Sequence, residues 1–279
     1  MDRKWYIHFH TACVEIISLD GALSNYLDIL FIDTQGAKHR SPVSSFEVSR
    51  INEQFNVFKN GVLESQQSNE VEAASAVMNS VKFELINNID DKLAVHAALV
   101  SDSTGSILLP GTSGAGKSSL TAWLAKHGFY YHTDELVLID LESLELIPFT
   151  RPLMVKSHGL DATLEMLEVS PSNRQLMLGN YNSSIPHRLI NSEYISTPPP
   201  LKAIILPAYS KSGNSQCKRL SKAQAIVELM RSNVLARNLP SHGTKIIQLM
   251  VGSVPTFQCQ YSNFDQLPTL LSDCDLYSA

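Results

Sequence analysis

Positive charge is in short supply in this chain: 22 Lys and Arg face 27 Asp and Glu, for a net charge of −5. That balance excludes a nucleic-acid platform or a polybasic membrane binder, while leaving room for a local basic site. No run approaches 18 consecutive apolar residues, so no membrane span is predicted. The opening residues, MDRKWYIHFH, lack the continuous apolar core of a signal peptide, and the expected compartment is the cytoplasm. Cysteine is scarce as well. Cys13, Cys217, Cys259 and Cys274 form no C-x-x-C pair. Their spacing suggests neither a zinc knuckle nor a disulfide framework, so buried reduced thiols are expected. No internal repeat is visible. What is present is ordinary for a folded protein: 44% hydrophobic and 18% charged residues over 279 positions, which rules out a disordered chain and allows one large domain or two modest ones.

The N-terminal part is predicted to be β-rich. Trp5–Ile17 and Tyr26–Ile32 have strand character, with turn signals at Asp20-Gly21 and between Asp33 and Gly36. Phe46–Val48, Phe55–Phe58 and Val62–Glu64 form further short strands, with Asn60-Gly61 as a hairpin turn. Ser65–Glu70 is polar and predicts a loop. Ala74, Val77, Val81 and Leu85 share one face of a helix over 71–86. The pattern then changes, which divides the chain into a β-rich region, 1–85, and a larger domain, 86–279. In the latter, Leu93–Val100 and Ile107–Pro110 are apolar strands, and a helix runs from Lys117 to His127 and is ended by Gly128. Phe129–Asp140 predicts one or two strands, with Leu144–Phe149 pairing back. Pro152–Lys156, Leu201–Pro207 and Ile246–Gln260 have strand character. Ala162–Glu168 and Lys222–Leu235 predict helices, the second with Ser221 as N-cap. Ser170–Pro200 is long and polar, and carries Arg174, His187 and Arg188. Two readings stand for it: a lid or acceptor-binding loop, or a plain mobile connection. The last dozen residues are expected to be peripheral.

One motif dominates the chemistry. Gly111-Thr112-Ser113-Gly114-Ala115-Gly116-Lys117-Ser118 fits G-x-x-x-x-G-K-[ST] at every fixed position, with an apolar strand before it and an amphipathic helix after it. Glycines let the backbone curl so that successive N–H groups face phosphate oxygens, and the helix N-terminus adds partial positive charge. The expected phosphate site runs from Gly111 through Ser119. Lys117 would reach the β- and γ-phosphates of ATP or another nucleoside triphosphate, and Ser118 would offer its hydroxyl to Mg²⁺.

Such a loop needs a carboxylate, and two candidates compete. Asp140 ends the apolar run Leu136-Val137-Leu138-Ile139, but Leu141-Glu142-Ser143 follows at once, which suits a hairpin tip. Asp134-Glu135 comes directly after the loop helix and the segment Phe129–Thr133. There one acid would take a proton from an attacking hydroxyl and the other would bind Mg²⁺. His96 sits in an apolar strand expected to pair with the strand that enters the loop. Taken alone it reads as a satisfied core histidine.

The arrangement VHAALV…ILLPGTSGAGKSSLTAWLAKHGFYYHTDELVLI resembles the catalytic core of HPr kinase/phosphorylase-type proteins, fold relatives of the phosphoenolpyruvate carboxykinases. IPFTRPLMVK and TPPPLKAIILPAY resemble the HPr-kinase-related proteins of peptide biosynthetic clusters. The resemblance covers about residues 90–210. It implies an α/β fold with a P-loop core on a mixed sheet. It implies His96 as an active-site histidine, Asp134 as the group that deprotonates an acceptor serine, and Glu135 in place of a second aspartate. Ser118, Asp134 and Glu135 would then surround the metal. Arg151, with Lys156 and Arg231, is a candidate for stabilising transferring phosphate. The Arg-Pro-Gly-Arg/Lys-Asn signature of the true HPr enzymes is missing. The implied activity is transfer of the γ-phosphoryl group of ATP to a Ser or Thr hydroxyl of a peptide or protein, such as a biosynthetic precursor peptide. A small-molecule kinase, a non-catalytic nucleotide-binding module and simple nucleotide hydrolysis are the alternatives. A homo-oligomer is implied by resemblance.

Overall fold

The computed structural model of the chain describes residues 2–169, 177–179, 182–211, 214–236 and 239–277. They fall into two compact units. The first comprises residues up to 90, 150–157 and the described part of 173–186; the second takes 91–149 and the described remainder. The fold is mixed α/β, and each unit contains a six-stranded sheet with both parallel and antiparallel pairs.

In the first unit β1 (Arg3–Phe9) and β2 (Ala12–Ser18) form a hairpin, and α1 (Gly21–Leu30) follows. Residues 26–30 are thus helical where a strand was expected. Asp20 accepts the Leu23 N–H at 2.9 Å as N-cap, and Leu23, Leu27 and Leu30 are buried at helical spacing. Cap and spacing together outweigh the local β-propensity of Tyr26 and Ile29. Next come β3 (Gln35–Gly36), β4 (Ser44–Ile51), β5 (Gln54–Lys59) and β6 (Val62–Gln67), completing the order β3-β1-β2-β4-β5-β6. Asn60 and Gly61 have φ of 50° and 81°, the left-handed pair that a two-residue hairpin turn requires. β6 continues through 65–67, where a loop was expected, because the Gln66 side chain donates to Asn56 at 2.6 Å across the ladder. α2 (Glu70–Asn87), capped by Asn69, buries Ala74, Val77, Val81 and Leu85 as the spacing predicts.

The second unit begins with β7 (Lys92–Val95) and β8 (Ala97–Asp102), one expected strand broken at His96. β9 (Gly105–Pro110), α3 (Lys117–Lys126), β10 (Tyr130–Thr133), β11 (Val137–Asp140) and β12 (Leu146–Pro148) follow. The chain then supplies the first unit with a small antiparallel sheet of β13 (Leu153–Lys156), β14 (Met177–Leu178) and β15 (Asn182–Ile185), with α4 (Ser157–Leu167) between β13 and β14 in sequence. The described part of 170–200 therefore holds two strands and a 3₁₀ turn at His187–Leu189 rather than one bare loop. Arg174 lies outside the described residues.

The second unit resumes with β16 (Leu201–Tyr209), β17 (Gln216–Arg219), α5 (Lys222–Arg231), β18 (Asn233–Leu235), α6 (Thr244–Ser253), β19 (Thr256–Tyr261) and α7 (Leu267–Ser272). α5 carries a full capping box of Ser221 and Gln224, and it stops at Arg231, short of the expected 235. Residues 246–253 are helical, not strand. Ile246, Ile247, Met250 and Val251 bury one helix face, and a short apolar run fits either period. The chain end is not peripheral: Leu267, Leu270, Leu271 and Leu276 join the core around Trp123 and Phe129.

The main sheet has the order β10-β8-β9-β16-β19-β17, with β9, β16 and β19 parallel. Its strands alternate between two cores. Ile107, Leu109 and Ile205 face Leu120, Trp123 and Leu124 of α3, while Leu108 and Ile204 face Ala225 and Leu229 of α5 and Ile247 and Met250 of α6. Burial on both faces explains why these strands are continuously apolar in sequence. A second sheet, β12-β11-β7-β18, is antiparallel throughout.

Candidate functional site

The loop between β9 and α3 sits at the carboxyl ends of the parallel strands, the place where open α/β sheets bind ligands. Its tip, Thr112, Ser113 and Gly114, is exposed, whereas the Lys117 side chain that closes it is buried. Gly114 and Gly116 take φ of 88° and 93°, a region that favours glycine. Gly116 is also walled in: a Cβ there would overlap the Tyr261 hydroxyl and lie 2.9 Å from Tyr209 Cβ. Tyr261 donates its hydroxyl to Gly116 O at 2.9 Å, and the Tyr209 N–H donates to Ala115 O at 3.0 Å. Burial raises the Tyr261 pKa well above its usual value, so the hydroxyl stays a donor. These two tyrosines, at the ends of β16 and β19, escaped the sequence reading. They follow the parallel strands, and only the sheet order brings them to the loop.

Lys117 Nζ donates to Gly111 O at 2.7 Å and to His96 Nε2 at 3.0 Å. An ammonium has only donors, so His96 Nε2 is the acceptor and the ring proton sits on Nδ1. Nδ1 then donates to the Glu135 carbonyl at 2.8 Å, with Glu135 Oε2 3.9 Å away. The His96 N–H donates to Ser232 O at 2.8 Å instead of to a strand ladder, which is the physical cause of the break between β7 and β8.

A second break lies beside the first. β10 pairs with β8 in the main sheet, Thr133 opposite Leu99, and β11 pairs with β7 in the second sheet, Val137 opposite Val95. Asp134 and Glu135 occupy the step between β10 and β11. Asp134 is buried, and its Oδ2 accepts the Ser118 hydroxyl at 2.9 Å, while the Tyr131 hydroxyl stands 3.4 Å from Oδ1. Thr133 Oγ1 fixes this turn by donating to Phe149 O and accepting the Glu135 N–H. His96, Lys117, Ser118, Asp134 and Glu135 are thereby brought together. A hydroxyl and a carboxylate in contact form a hard oxygen pair of the kind that Mg²⁺ takes alongside nucleotide phosphates. Among the described residues no group of three or more His, Cys, Asp or Glu is arranged to hold a metal, and a magnesium site completed by phosphates needs none.

Asp140 does other work. It accepts the N–H groups of Ser143 and Glu142 and the Ser143 hydroxyl, and it pairs with Lys92 at 3.2 Å. The Ser143 N–H, then the others, hold its carboxyl far below the usual range. Of the weaker candidates, Arg231 lines a cleft of about 90 Å³ with Gly111 and Thr112. Arg151 and Lys156 belong to the first unit, Arg151 buried and Lys156 exposed at the end of β13. His187 is buried and stacks on Tyr131 at 5.0 Å, and Arg188 lies over Tyr194. Ser119 lies in the first turn of α3. No helix among the described residues is long and apolar enough to cross a membrane.

No protein-family model matches the chain, and no curated protein matches it in sequence. Among solved structures it is similar to the Hpr(Ser) kinase/phosphatase from Coxiella burnetii. The identity is 11% and the TM-score 0.32, over 66% of this chain and 96% of that one.

Proposed function

We propose that this chain is a P-loop phosphotransferase that passes the γ-phosphoryl group of ATP, or another nucleoside triphosphate, to a Ser or Thr hydroxyl of a peptide or protein. The observation that carries this reading is the contact between Ser118 Oγ and Asp134 Oδ2. It joins the hydroxyl that follows the loop lysine to an acid on a different element, which a glycine-rich turn without a ligand has no need to do.

In this reading the loop amides and the N-terminus of α3 bind the phosphates. Lys117 exchanges its carbonyl and His96 partners for phosphate oxygens. Ser118 and Asp134 hold Mg²⁺, with Glu135 beside them, and the ion when bound neutralises phosphate charge. Asp134 accepts the proton of the acceptor hydroxyl. His96, fixed as the Nδ1–H tautomer, holds Lys117 at the loop until nucleotide binds. Arg151 is kept as the candidate for stabilising transferring phosphate that the resemblance implies. The kinase domain is residues 86–279, and residues 1–85 serve as an acceptor-docking module or a structural cap. A biosynthetic precursor peptide is one acceptor of that class, and a cytoplasmic homo-oligomer is the working form.

The test is incubation of the whole chain with γ-labelled ATP, Mg²⁺ and a cell extract, followed by identification of the labelled species. Labelled Ser or Thr in a protein or peptide is expected. Lys117→Ala should abolish labelling, and Asp134→Asn should bind nucleotide and transfer nothing. Normal transfer by Asp134→Asn, with loss in Asp140→Asn, would show the carboxylate to be misassigned.

A further inference from the structure

The cleft beside the loop has a wall that the motif does not explain. α5 ends at Arg231, and Ser232 caps it with its carbonyl bonded to the His96 N–H. That bond anchors the helix end to the strand break that holds Lys117. Glu228, Arg231 and Ser232 then face Gly111, Thr112 and Pro207 across about 90 Å³. Among the described lining residues Arg231 is the cation and Glu228 the anion. They pair at 2.7 Å, and both are exposed, Arg231 at 64% and Glu228 at 39% of the side chain.

A phosphate entering at Gly111 and Thr112 meets an unfavourable surface there. The C-terminus of α5 carries partial negative charge, and the Glu228 carboxylate adds to it. On this wall of the cleft the Arg231 guanidinium is the group that offsets it. An exposed i,i+3 ion pair is weak and screened by solvent, whereas a guanidinium on phosphate makes a charge-assisted fork with a more highly charged partner. A nucleotide phosphate therefore competes with Glu228 for the guanidinium.

We propose that Arg231 is a phosphate-binding residue of this site, occupied by Glu228 until a nucleoside triphosphate displaces the carboxylate. The pair is an electrostatic gate. It sets the affinity of the loop for the polyphosphate and disfavours entry of weaker anions. This inference rests on the phosphotransferase reading above.

The test measures the dissociation constant of the whole chain for ATP·Mg²⁺ in wild type, Arg231→Gln, Glu228→Gln and the double variant, with Lys117→Ala as reference. Arg231→Gln should weaken binding about tenfold or more. Glu228→Gln should tighten it about threefold in the wild-type background and clearly less in the Arg231→Gln background, where only the carboxylate's own repulsion of phosphate is removed. Arg231→Lys, which keeps the charge and loses the fork, should fall between. A pair that only stabilises α5 predicts losses of the same sign in both single variants, and that result overturns the gate. Wild-type affinity in Arg231→Gln, with binding lost in Lys117→Ala, also overturns it and leaves the phosphotransferase reading standing. A wild-type chain that binds no nucleoside triphosphate removes both.

Discussion

Gly116→Ala probes whether the two tyrosines hold the loop in its curled form. The backbone term comes first: at φ 93° an alanine costs about 1–2 kcal/mol. The steric term adds to it, because the new methyl overlaps the Tyr261 hydroxyl and sits 2.9 Å from Tyr209 Cβ. Overpacking of this kind costs about 1–3 kcal/mol, so the total is about 2–5 kcal/mol. Gly114 is the control. Its φ of 88° is similar, but a Cβ there meets nothing within 4 Å, so Gly114→Ala should cost only the backbone term. Tyr261→Phe alone removes one hydrogen bond, about 1 kcal/mol; Gly116 O keeps the Leu120 N–H at 2.9 Å. Combined with Gly116→Ala it also removes the nearest overlapping atom. The double variant should therefore be less destabilised than the sum of the two singles by about 1 kcal/mol. Tyr209 Cβ remains, so rescue is partial. Urea unfolding followed by Trp123 fluorescence in a Trp5→Phe background reads the second unit, since Trp5 and Trp123 are the two tryptophans and Trp123 lies in α3. Equal shifts for Gly114→Ala and Gly116→Ala, or strict additivity with Tyr261→Phe, would refute the tyrosine wall.

Asp140→Asn should lower stability at neutral pH and leave phosphoryl transfer intact. The depressed pKa of Asp140 means that its contribution is full above about pH 4 and fades as pH falls toward the folded-state value, so urea midpoints of wild type and variant should converge in acid. His132 is buried, its Nε2 is 2.8 Å from Ser101 Oγ, and burial, helped by the charge of His187, lowers its pKa to about 4. A histidine with a depressed folded pKa loses stability as pH falls from about 6.5 toward that value, by roughly 2 kcal/mol between pH 7 and pH 5. His132→Gln should flatten that slope in urea titrations at the two pH values, and an unchanged slope would assign the dependence elsewhere. Leu271→Ala, near the chain end, should cost about 2–5 kcal/mol in calorimetry because Leu271 is fully buried in the α3 core; a shift of a few tenths would return the C-terminus to a peripheral role.

Sequence made some of this legible and hid the rest for identifiable reasons. The loop was visible because its constraints are local: each glycine and the lysine act within one turn of chain, so spacing carries the geometry. α2 was visible because four apolar residues repeat with a single period and no turn signal interrupts them. α1 and α6 were misread because runs of fewer than a dozen residues satisfy strand and helix patterns alike, and the arbiters, the Asp20 cap and the burial of Ile246 with Met250, become decisive only in the folded packing. The strand over 93–100 was read whole because every residue but His96 is apolar or small. Nothing in its pattern marks the point where its hydrogen bonds change partner.

That change of partner explains why chemistry-bearing side chains gather here and not elsewhere on the sheet. A strand that stays in one ladder has its N–H and C=O groups paired with neighbours, and its side chains alternate into two apolar cores, as those of β9 do. A strand that leaves one sheet for another must pass through residues whose backbone groups find other partners. When two adjacent strands do this side by side, the gap they open is lined by the residues at the step: His96 on one, Asp134 and Glu135 on the other. His96 is then held on both its backbone, by Ser232 O, and its ring, by Glu135 O and Lys117 Nζ. Asp140 stands elsewhere. It lies where β11 turns into β12 within a single sheet, so its carboxylate is used up by the N–H groups of its own hairpin and by Lys92. Asp134 reaches Ser118 of the loop because it stands at the step between sheets, a position that the apolar run before Asp140 does not provide.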